Sequence, residues 1–327
     1  MLARVANSLY WTGRYIERSE NLARYIKVQY FSTFDAPITQ QKDVILRSIL
    51  YMSAAEGREA LLADEQKVLT EVAFNSENSN SIFSNVKAAR ENARSVRYAI
   101  SSELWEIINS YYHYVKNYDI DYYKTRGLYD FTTNVSQYCS IIRSYAHTTL
   151  LHDDVWAFFK LGIYLERAVQ TLRILSSKNI DIQLLTSNGK DVPLTAYQWA
   201  ITLRIFETFD MYRKLYKGNI KAENVLNFLL SNTTLSRSLA FSLERVSQLL
   251  SHLTFAISSD SNLLFQAEKL SSSFKFLEYE EIQTNLQEFL STSLNKIYTL
   301  NDLIEQEYFK IESVDAPNQT QSQGSLQ

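Results

Sequence analysis

A ten-residue segment that occurs twice in the chain constrains the fold more than any other feature of the sequence. YIERSENLAR at residues 15–24 returns as YLERAVQTLR at residues 164–173, which lies 149 residues later. Because a repeated segment indicates a repeated structural unit, we interpret residues 1–150 and 151–313 as two degenerate copies of one helical unit. Features found in both copies then point to architecture, whereas features found in only one copy point to a site.

The match between the copies extends beyond this segment, with a longer offset. DVILRS at residues 43–48 aligns with AITLRI at residues 200–205, and Ser81 aligns with Ser238, each 157 residues later. The eight additional residues fit the polar stretch NIDIQLLTSNGKDV at 179–192, which predicts a loop or a small hairpin.

The composition predicts an all-α protein. The 327 residues include only 7 Gly and 3 Pro, whereas average usage is about 7% and 5%. Turns and strands need these residues, so we expect long helices joined by short connections. The expected fold is a long-helix bundle, with the two copies related by a pseudo-two-fold axis within a single domain over residues 1–313. The tail, residues 314–327, contains almost no apolar residue and predicts disorder.

Charge and hydropathy exclude several classes of function. The net charge is −3 and the isoelectric point about 5.9, so no overall basic field favours nucleic acid. No uncharged apolar run reaches the length of about 18 residues that predicts a membrane span, and the N-terminal segment lacks the apolar core of a signal peptide. The single cysteine, Cys139, excludes an intramolecular disulfide. We therefore expect a cytoplasmic protein without nucleic-acid or membrane partners. The sequence leaves open whether the protein forms a homo-oligomer.

Apolar periodicity predicts where the helices lie. The predicted helices cover residues 2–34, 40–54, 64–75, 80–117, 129–150, 153–178, 194–217, 221–231, 234–258, 262–274 and 278–312. The predicted capping residues are Asp153 or Asp154, Ser79 or Asn80, and Thr233 or Thr234, each accepting from free backbone N–H groups. The first helix has an apolar side and a separate polar side, which predicts a central position in the fold.

The repeated segments share a polar stripe on the helix surface. Its members are Glu17, Arg18, Asn21 and Arg24 in the first copy, and Glu166, Arg167, Gln170 and Arg173 in the second. In a structural interpretation the two helices cross, and each Glu accepts from the Arg of the other helix in a partly buried network that fixes register. In a functional interpretation the same groups form a polar pocket, with Glu17 and Glu166 as acid or base. We prefer the structural interpretation, because ion-pair networks perturb charges without any chemistry.

Arginines that occur in only one copy are candidates for binding an anion, a ligand or a partner. The candidate arginines found in one copy are Arg4, Arg14, Arg90 and Arg94. Arg18, which both copies share, is a further candidate. Arginine suits bidentate recognition of carboxylate and phosphate, and we expect at least Arg4 and Arg14 to reach a solvent-accessible cleft. The alternative, for Arg90 and Arg94, is a solvated helix face with a local acidic partner, and both interpretations stay open.

Metal and phosphate-loop chemistry finds little support in the sequence. His147 and His152 lie close to Asp153 and Asp154, but two histidines five residues apart do not share a helix face, and an aspartate here is needed as a cap. The chain contains no G-x-S-x-G, no P-loop and no G-x-G-x-x-G motif. We predict no metal and no cofactor.

Several segments resemble one family of proteins. MLARVANSLYWTGRYIERSENLAR at the start of the chain is similar to the opening of the bacterial Alpha-E family, which is all-helical and named for its Glu-Arg motif. Three later segments resemble the same family, at residues 81–109, 155–173 and 225–246. The family motif falls on Glu17-Arg18 and Glu166-Arg167, and AARENAR falls on residues 88–94. No family pattern is evident at 110–150 or 259–313.

The resemblance implies a role near amide chemistry. Members of the family are encoded beside ATP-grasp and transglutaminase-like proteins, so it implies a function in forming, modifying or cleaving peptide-like amides, with these two proteins as partners. Our first hypothesis is a helical accessory protein of an ATP-grasp amide ligase, not catalytic on its own. The alternatives are an enzyme in its own right, with Glu acid/base groups and anion-binding Arg, and a purely structural scaffold. Substrate and product stay open.

Overall fold

Every regular element in the described part of the chain is a helix or a helical turn. The computed structural model describes residues 1–32, 42–54, 58–186, 192–254 and 262–310. The first half contains α1 (Ala3–Phe31), α2 (Lys42–Met52), α3 (Glu65–Phe74), α4 (Ile82–Ser95), α5 (Ser102–Lys116), α6 (Ile120–Tyr122) and α7 (Leu128–Thr148). The second half contains α8 (Asp154–Thr186), α9 (Val192–Ile205), α10 (Phe209–Leu215), α11 (Ala222–Leu230), α12 (Leu239–Thr254), α13 (Asn262–Lys275) and α14 (Leu286–Tyr308). The all-α prediction is confirmed.

Two long helices, α1 and α8, run through the centre of the fold and pack on each other. In α1 the buried residues extend from Val5 to Gln29 and include charged side chains. This burial follows from the neighbours, since α4 and α7 pack on α1 while α12 and α14 pack on α8. A helix surrounded in this way must pair its polar side chains internally. The central position predicted for the first helix is therefore what the structure contains.

The remaining helices form matching layers around the central pair. α5 packs against α4 and α7, and α13 packs against α12 and α14. α2 and α9 each contact both central helices, so each joins the two halves of the chain. None of the helices in the described ranges combines the length and apolar character that crossing a bilayer requires.

Serine caps start α4 and α12, which pack on α1 and α8 respectively. Ser81 Oγ accepts from the backbone N–H of Ser84 at 3.1 Å, and Ser238 Oγ accepts from that of Phe241 at 3.1 Å. Both caps belong to the longer offset of 157 residues. The predicted caps Ser79 or Asn80 and Thr233 or Thr234 are wrong, because these residues lie in the turns that precede the helices. The prediction for Asp153 holds, since its Oδ1 accepts from the backbone N–H of Val155 at 2.9 Å.

The second central helix is longer than the sequence predicts. The polar stretch after residue 178 was expected to be a loop or hairpin, but α8 continues to Thr186. Polar residues continue the helix here because they bond inside the protein: Lys178 Nζ donates to Gln29 at 3.1 Å, to Asp181 at 2.9 Å and to Gln198 at 2.8 Å. Residues 187–191 and the tail 314–327 lie outside the described residues.

Three predicted helices are interrupted. The run expected over 80–117 breaks between α4 and α5, where Ser101 Oγ accepts from the backbone N–H of Leu104 at 3.2 Å and caps the new helix. The runs expected over 194–217 and 278–312 also divide. At the ends of α9 and α2, Glu207 and Ala54 have positive φ angles of 54° and 50°, each two residues beyond the last helical residue. These two ends lie 153 residues apart, rather than the 157 suggested by the sequence alignment.

Candidate functional site

The two central helices approach most closely at a pair of glycines. A Cβ atom added to Gly13 would lie 2.2 Å from the carbonyl oxygen of Phe159, and one added to Gly162 would lie 2.0 Å from that of Tyr10. Neither position has space for a side chain, so only glycine permits this approach of the two backbones. Each glycine meets the carbonyl three residues before the other glycine. The crossing brings the Glu-Arg pairs of both helices together.

Glu166 of α8 is fully buried and accepts from two arginines of α1. Arg18 pairs in a bidentate manner, from Nε to Oε1 at 2.7 Å and from Nη2 to Oε2 at 3.0 Å. Arg14 Nε donates to Oε2 at 2.8 Å, and Gln170 Nε2 donates to Oε1 at 2.8 Å. Burial alone would raise the pKa of Glu166, but the positive charges of Arg18 and Arg14 outweigh it and hold this pKa well below its usual range.

Glu17 of α1, which is also fully buried, has the corresponding arrangement. Arg167 donates from Nε to Oε1 at 2.7 Å and from Nη2 to Oε2 at 3.0 Å. Asn21 Nδ2 donates to Oε1 at 3.3 Å, and Arg143 from α7 reaches Oε2 at 3.4 Å. Burial alone would raise the pKa of Glu17, but the positive charges of Arg167 and Arg143 outweigh this effect and lower the pKa to about 2.

Each motif Glu therefore accepts from the motif Arg of the other helix, with the same two distances in both directions. This exchange is the one that the structural interpretation of the stripe describes. A general acid or base needs a pKa near the working pH and an oxygen that a substrate can reach. The carboxylates of Glu17 and Glu166 have neither property, so the geometry does not suit them to proton transfer. It suits them to fixing the register of the crossing.

The third arginine of each cluster differs between the two halves. Arg14 belongs to α1 itself, and its Nη1 also donates to Asn301 of α14 at 2.5 Å. Arg143 comes from α7 and pairs mainly with Glu20, to which Nη2 donates at 3.0 Å. The sequence did not predict Arg143, Glu20 or Asn301. Arg143 and Asn301 are single polar residues on flanking helices and carry no periodic signal, and Glu20 of α1 has no acidic counterpart in the repeated segment, where Val169 is equivalent.

The outer arginines of the motif hold the ends of α2 and α9. Arg173 Nη2 donates to the carbonyls of Tyr51 at 2.9 Å and Met52 at 3.2 Å, at the end of α2. Arg24 donates to Asn21 at 2.5 Å and reaches Glu207, just beyond α9, at 3.4 Å. The last carbonyls of a helix have no partner within the helix, so Arg173 supplies donors that this helix end needs.

The structure separates the arginines that were expected to bind an anion. Arg14 is only 4% exposed, and its guanidinium is closed on Glu166. The expectation that it reaches a solvent-accessible cleft is wrong, because α8 and α14 pack against the face of α1 that carries Arg14. Arg18 lies in the same network. Arg4, in contrast, is exposed near the start of α1.

Arg90 and Arg94 lie on α4 and share an acidic neighbour, with Arg94 exposed and Arg90 partly buried. Arg90 donates to Glu91 at 2.7 Å and to Asn109 at 2.8 Å, and its guanidinium lies 4.7 Å from the ring centre of Tyr112. Arg94 pairs with Glu91 at 2.5 Å. This is the solvated face with a local acidic partner that the sequence left open. It leaves Arg94 and its neighbours accessible to another protein.

The two histidines near the start of α8 do not form a metal site with the aspartates. The rings of His147 and His152 lie 5.0 Å apart, and His152 stacks on Trp156 at 4.3 Å, while Asp153 caps the helix. Among the described residues, no group of three or more His, Cys, Asp and Glu side chains is placed to hold a metal ion.

Comparison with protein families identifies the chain. The matching family model, Alpha-E, is described as a predicted alpha-helical domain with a conserved ER motif, and it covers residues 1–309. The chain therefore belongs to the Alpha-E family, which confirms the resemblance found in the sequence. No curated protein and no solved structure matches the chain.

Proposed function

We propose that this Alpha-E protein is a helical accessory protein of an ATP-grasp amide ligase, in which the Glu-Arg motif holds the fold together and the outer surface binds the partner. One observation carries the proposal: Glu17 and Glu166 are fully buried and each is saturated by arginine. An enzyme that used them would have to break these ion pairs before every proton transfer. The function is therefore better sought on the surface.

The requirement for ATP supports a division of labour between two proteins. Forming an amide from a carboxylate needs activation, and the chain has no P-loop and only 7 Gly to build a backbone phosphate cradle. An ATP-grasp partner would supply that activation. The association itself rests on the gene neighbourhood implied by the family resemblance. The transglutaminase-like protein is the second partner that the same neighbourhood suggests.

We also propose that the two halves of the domain, 1–150 and 151–313, are degenerate copies related by a pseudo-two-fold axis. The support is reciprocity: Gly13 and Gly162 each meet the other helix, and the Glu-Arg pairs exchange partners. The serine caps of α4 and α12 and the matching helix layers agree with it. A two-fold relation makes residue i contact j whenever j contacts i.

Co-expression tests the accessory role. The full chain is expressed with the ATP-grasp protein encoded beside its gene, and the complex is measured by size-exclusion chromatography with light scattering. ADP release and amide formation are then measured for the ligase with and without the chain. We expect a stable complex and ligase turnover that increases several-fold.

Surface variants refine this test. Arg94→Glu reverses an exposed charge on the α4 face, and Arg213→Glu makes the same change on α10, where the side chain is also exposed. We expect Arg94→Glu to weaken the complex while Arg213→Glu leaves it unchanged. Amide chemistry by the isolated chain would favour the enzyme alternative. Neither complex nor stimulation, with a correctly folded chain, would leave only the scaffold alternative.

A further inference from the structure

A cleft lined by three histidines opens on the second half of the molecule, between the start of α8 and α12. We call it the histidine cleft; its polar lining includes His147, His152, His252, Lys160 and Arg245. Its volume is about 420 Å³, within the range of about 300–1,000 Å³ that small-molecule sites occupy. The chain has only 4 His in all, so three of them meet at this one place.

The charge of the cleft is unbalanced. Its lining contains Lys160 and Arg245 but no Asp or Glu. Within the described residues Lys160 Nζ forms no ion pair and no hydrogen bond. Its charge is opposed by burial and by the nearby Arg167 and Arg143, which lower the pKa of Lys160 to about 8, against a smaller opposite effect of Glu17. A partly buried cation without a counterion favours an anion from outside.

The walls of the cleft are aromatic. Lys160 Nζ lies 5.9 Å from the ring centre of Trp156 and 5.6 Å from that of Tyr164. The rings of Tyr164 and Phe241 lie 6.3 Å apart, and Arg245 covers Phe241 at 4.9 Å. The indole N–H of Trp156 is buried and has no acceptor among the described residues. Aromatic faces beside a free cation suit a ligand with a flat apolar part.

We propose that the histidine cleft binds a small organic anion, in which a carboxylate or phosphate group pairs with Lys160 and Arg245 and a flat apolar group packs on Trp156 and Tyr164. The exposed histidines add hydrogen-bond donors at the rim. The proposal goes beyond the accessory role and does not depend on it, because it needs no second protein.

Histidine resonances of the isolated full chain test the proposal directly. Phenyl phosphate, benzoate and the neutral benzyl alcohol are titrated separately while the ring C–H signals are followed by NMR. His113, on the exposed face of α5, provides an internal control. We expect saturable shifts of His147, His152 and His252 with at least one of the two anions, no saturable shift with benzyl alcohol, and no shift of His113. The relative affinity for phenyl phosphate and benzoate identifies the preferred head group.

Replacing the two cations of the cleft, with one control variant, tests whether they bind the anion. Lys160→Met keeps the length of the side chain and removes its charge, and Lys269→Met makes the same change at an exposed position outside the cleft. We expect Lys160→Met to weaken binding about tenfold or more, with Lys269→Met binding as the wild type does. Arg245→Gln, at an exposed side chain that tolerates replacement, should weaken binding in the same direction.

Three results would overturn the proposal. The first is that neither phenyl phosphate nor benzoate produces saturable shifts of the histidine signals, even at concentrations high enough to saturate a weak site. The second is equal movement of all four histidines, which indicates a general ionic effect. The third is unchanged affinity in both Lys160→Met and Arg245→Gln. None of these outcomes bears on whether the chain binds an ATP-grasp protein.

Discussion

Replacing Glu166 with alanine should destabilise the protein more than replacing Glu17, although both carboxylates are fully buried. The difference lies in the arginines left behind. Without Glu166, Arg14 keeps no carboxylate and retains hydrogen bonds to Asn301 and Tyr10 and the contact with the ring of Trp11. Without Glu17, Arg143 still pairs with Glu20. The first variant therefore leaves both Arg14 and Arg18 without a carboxylate among the described residues, whereas the second leaves only Arg167.

The magnitude follows from the burial of each arginine. Removing one partner of a buried ion pair costs about 3–5 kcal/mol. The Arg14 side chain is 5% exposed, so Glu166→Ala should fall near the top of this range. Arg167 is 13% exposed and still donates to the Ser236 carbonyl at 3.2 Å, so Glu17→Ala should fall near the bottom. With an unfolding entropy of about 2.1 cal/mol/K per residue, these costs correspond to decreases in Tm of about 7 °C and about 4–5 °C.

Thermal unfolding followed by circular dichroism and calorimetry measures both variants. Glu91→Ala, which removes a half-exposed carboxylate on α4, serves as the control and should cost less than about 1 kcal/mol. The double variant Glu166→Ala with Arg14→Met should recover part of the loss, because it leaves one buried cation fewer. Equal decreases for the two single variants, or a larger one for Glu17→Ala, would refute this account of the network.

Three further predictions concern the glycines where α1 and α8 cross, the stability at acid pH and an exposed ion pair on α4. Gly13→Ala and Gly162→Ala should each lower the Tm by several degrees, because the new Cβ meets a backbone carbonyl; Gly127→Ala, which meets only tyrosine side chains, should cost less in the same melts. The pKa of Glu17 is lowered by its arginines, so the stability that its ion pair contributes is complete above about pH 4.5 and decreases as the pH falls toward 2. Urea unfolding measured at a series of pH values should show this decrease in the wild type, and Glu17→Gln should lack the part that Glu17 causes. Arg94→Gln should change the Tm by less than about 1 °C, because its ion pair is exposed.

The sequence was sufficient to predict the parts of the fold that depend on pattern. The scarcity of Gly and Pro predicted an all-helical chain. The repeated segment identified the two central helices and the polar residues that meet between them. The glycines, 149 residues apart, mark the closest approach of these helices. Such features repeat or recur with a helical period, and this is why a single sequence reveals them.

Features that depend on which helix lies opposite could not be predicted. Arg14 stood on a polar face of α1 that pattern alone assigns to a cleft, but tertiary packing closes that face against α8. The polar stretch after residue 178 continues a helix because Gln29 and Gln198, on other helices, provide partners for Lys178. Propensity describes one segment at a time, whereas these outcomes depend on contacts between distant segments.

Divergence between the halves accounts for the unpaired cation in the histidine cleft. Under the proposed two-fold relation, the position equivalent to Lys160 is Trp11. The guanidinium of Arg14 lies 4.6 Å from the ring centre of Trp11, and the Nε of Arg14 pairs with Glu166. In the second half the residue equivalent to Arg14 is the apolar Ile163. In the first half, Arg14 thus supplies the cation for the aromatic ring, and Glu166 of the second half supplies the carboxylate for that cation. The second half has the cation and the aromatic rings but no carboxylate, so the charge of Lys160 is left for a ligand.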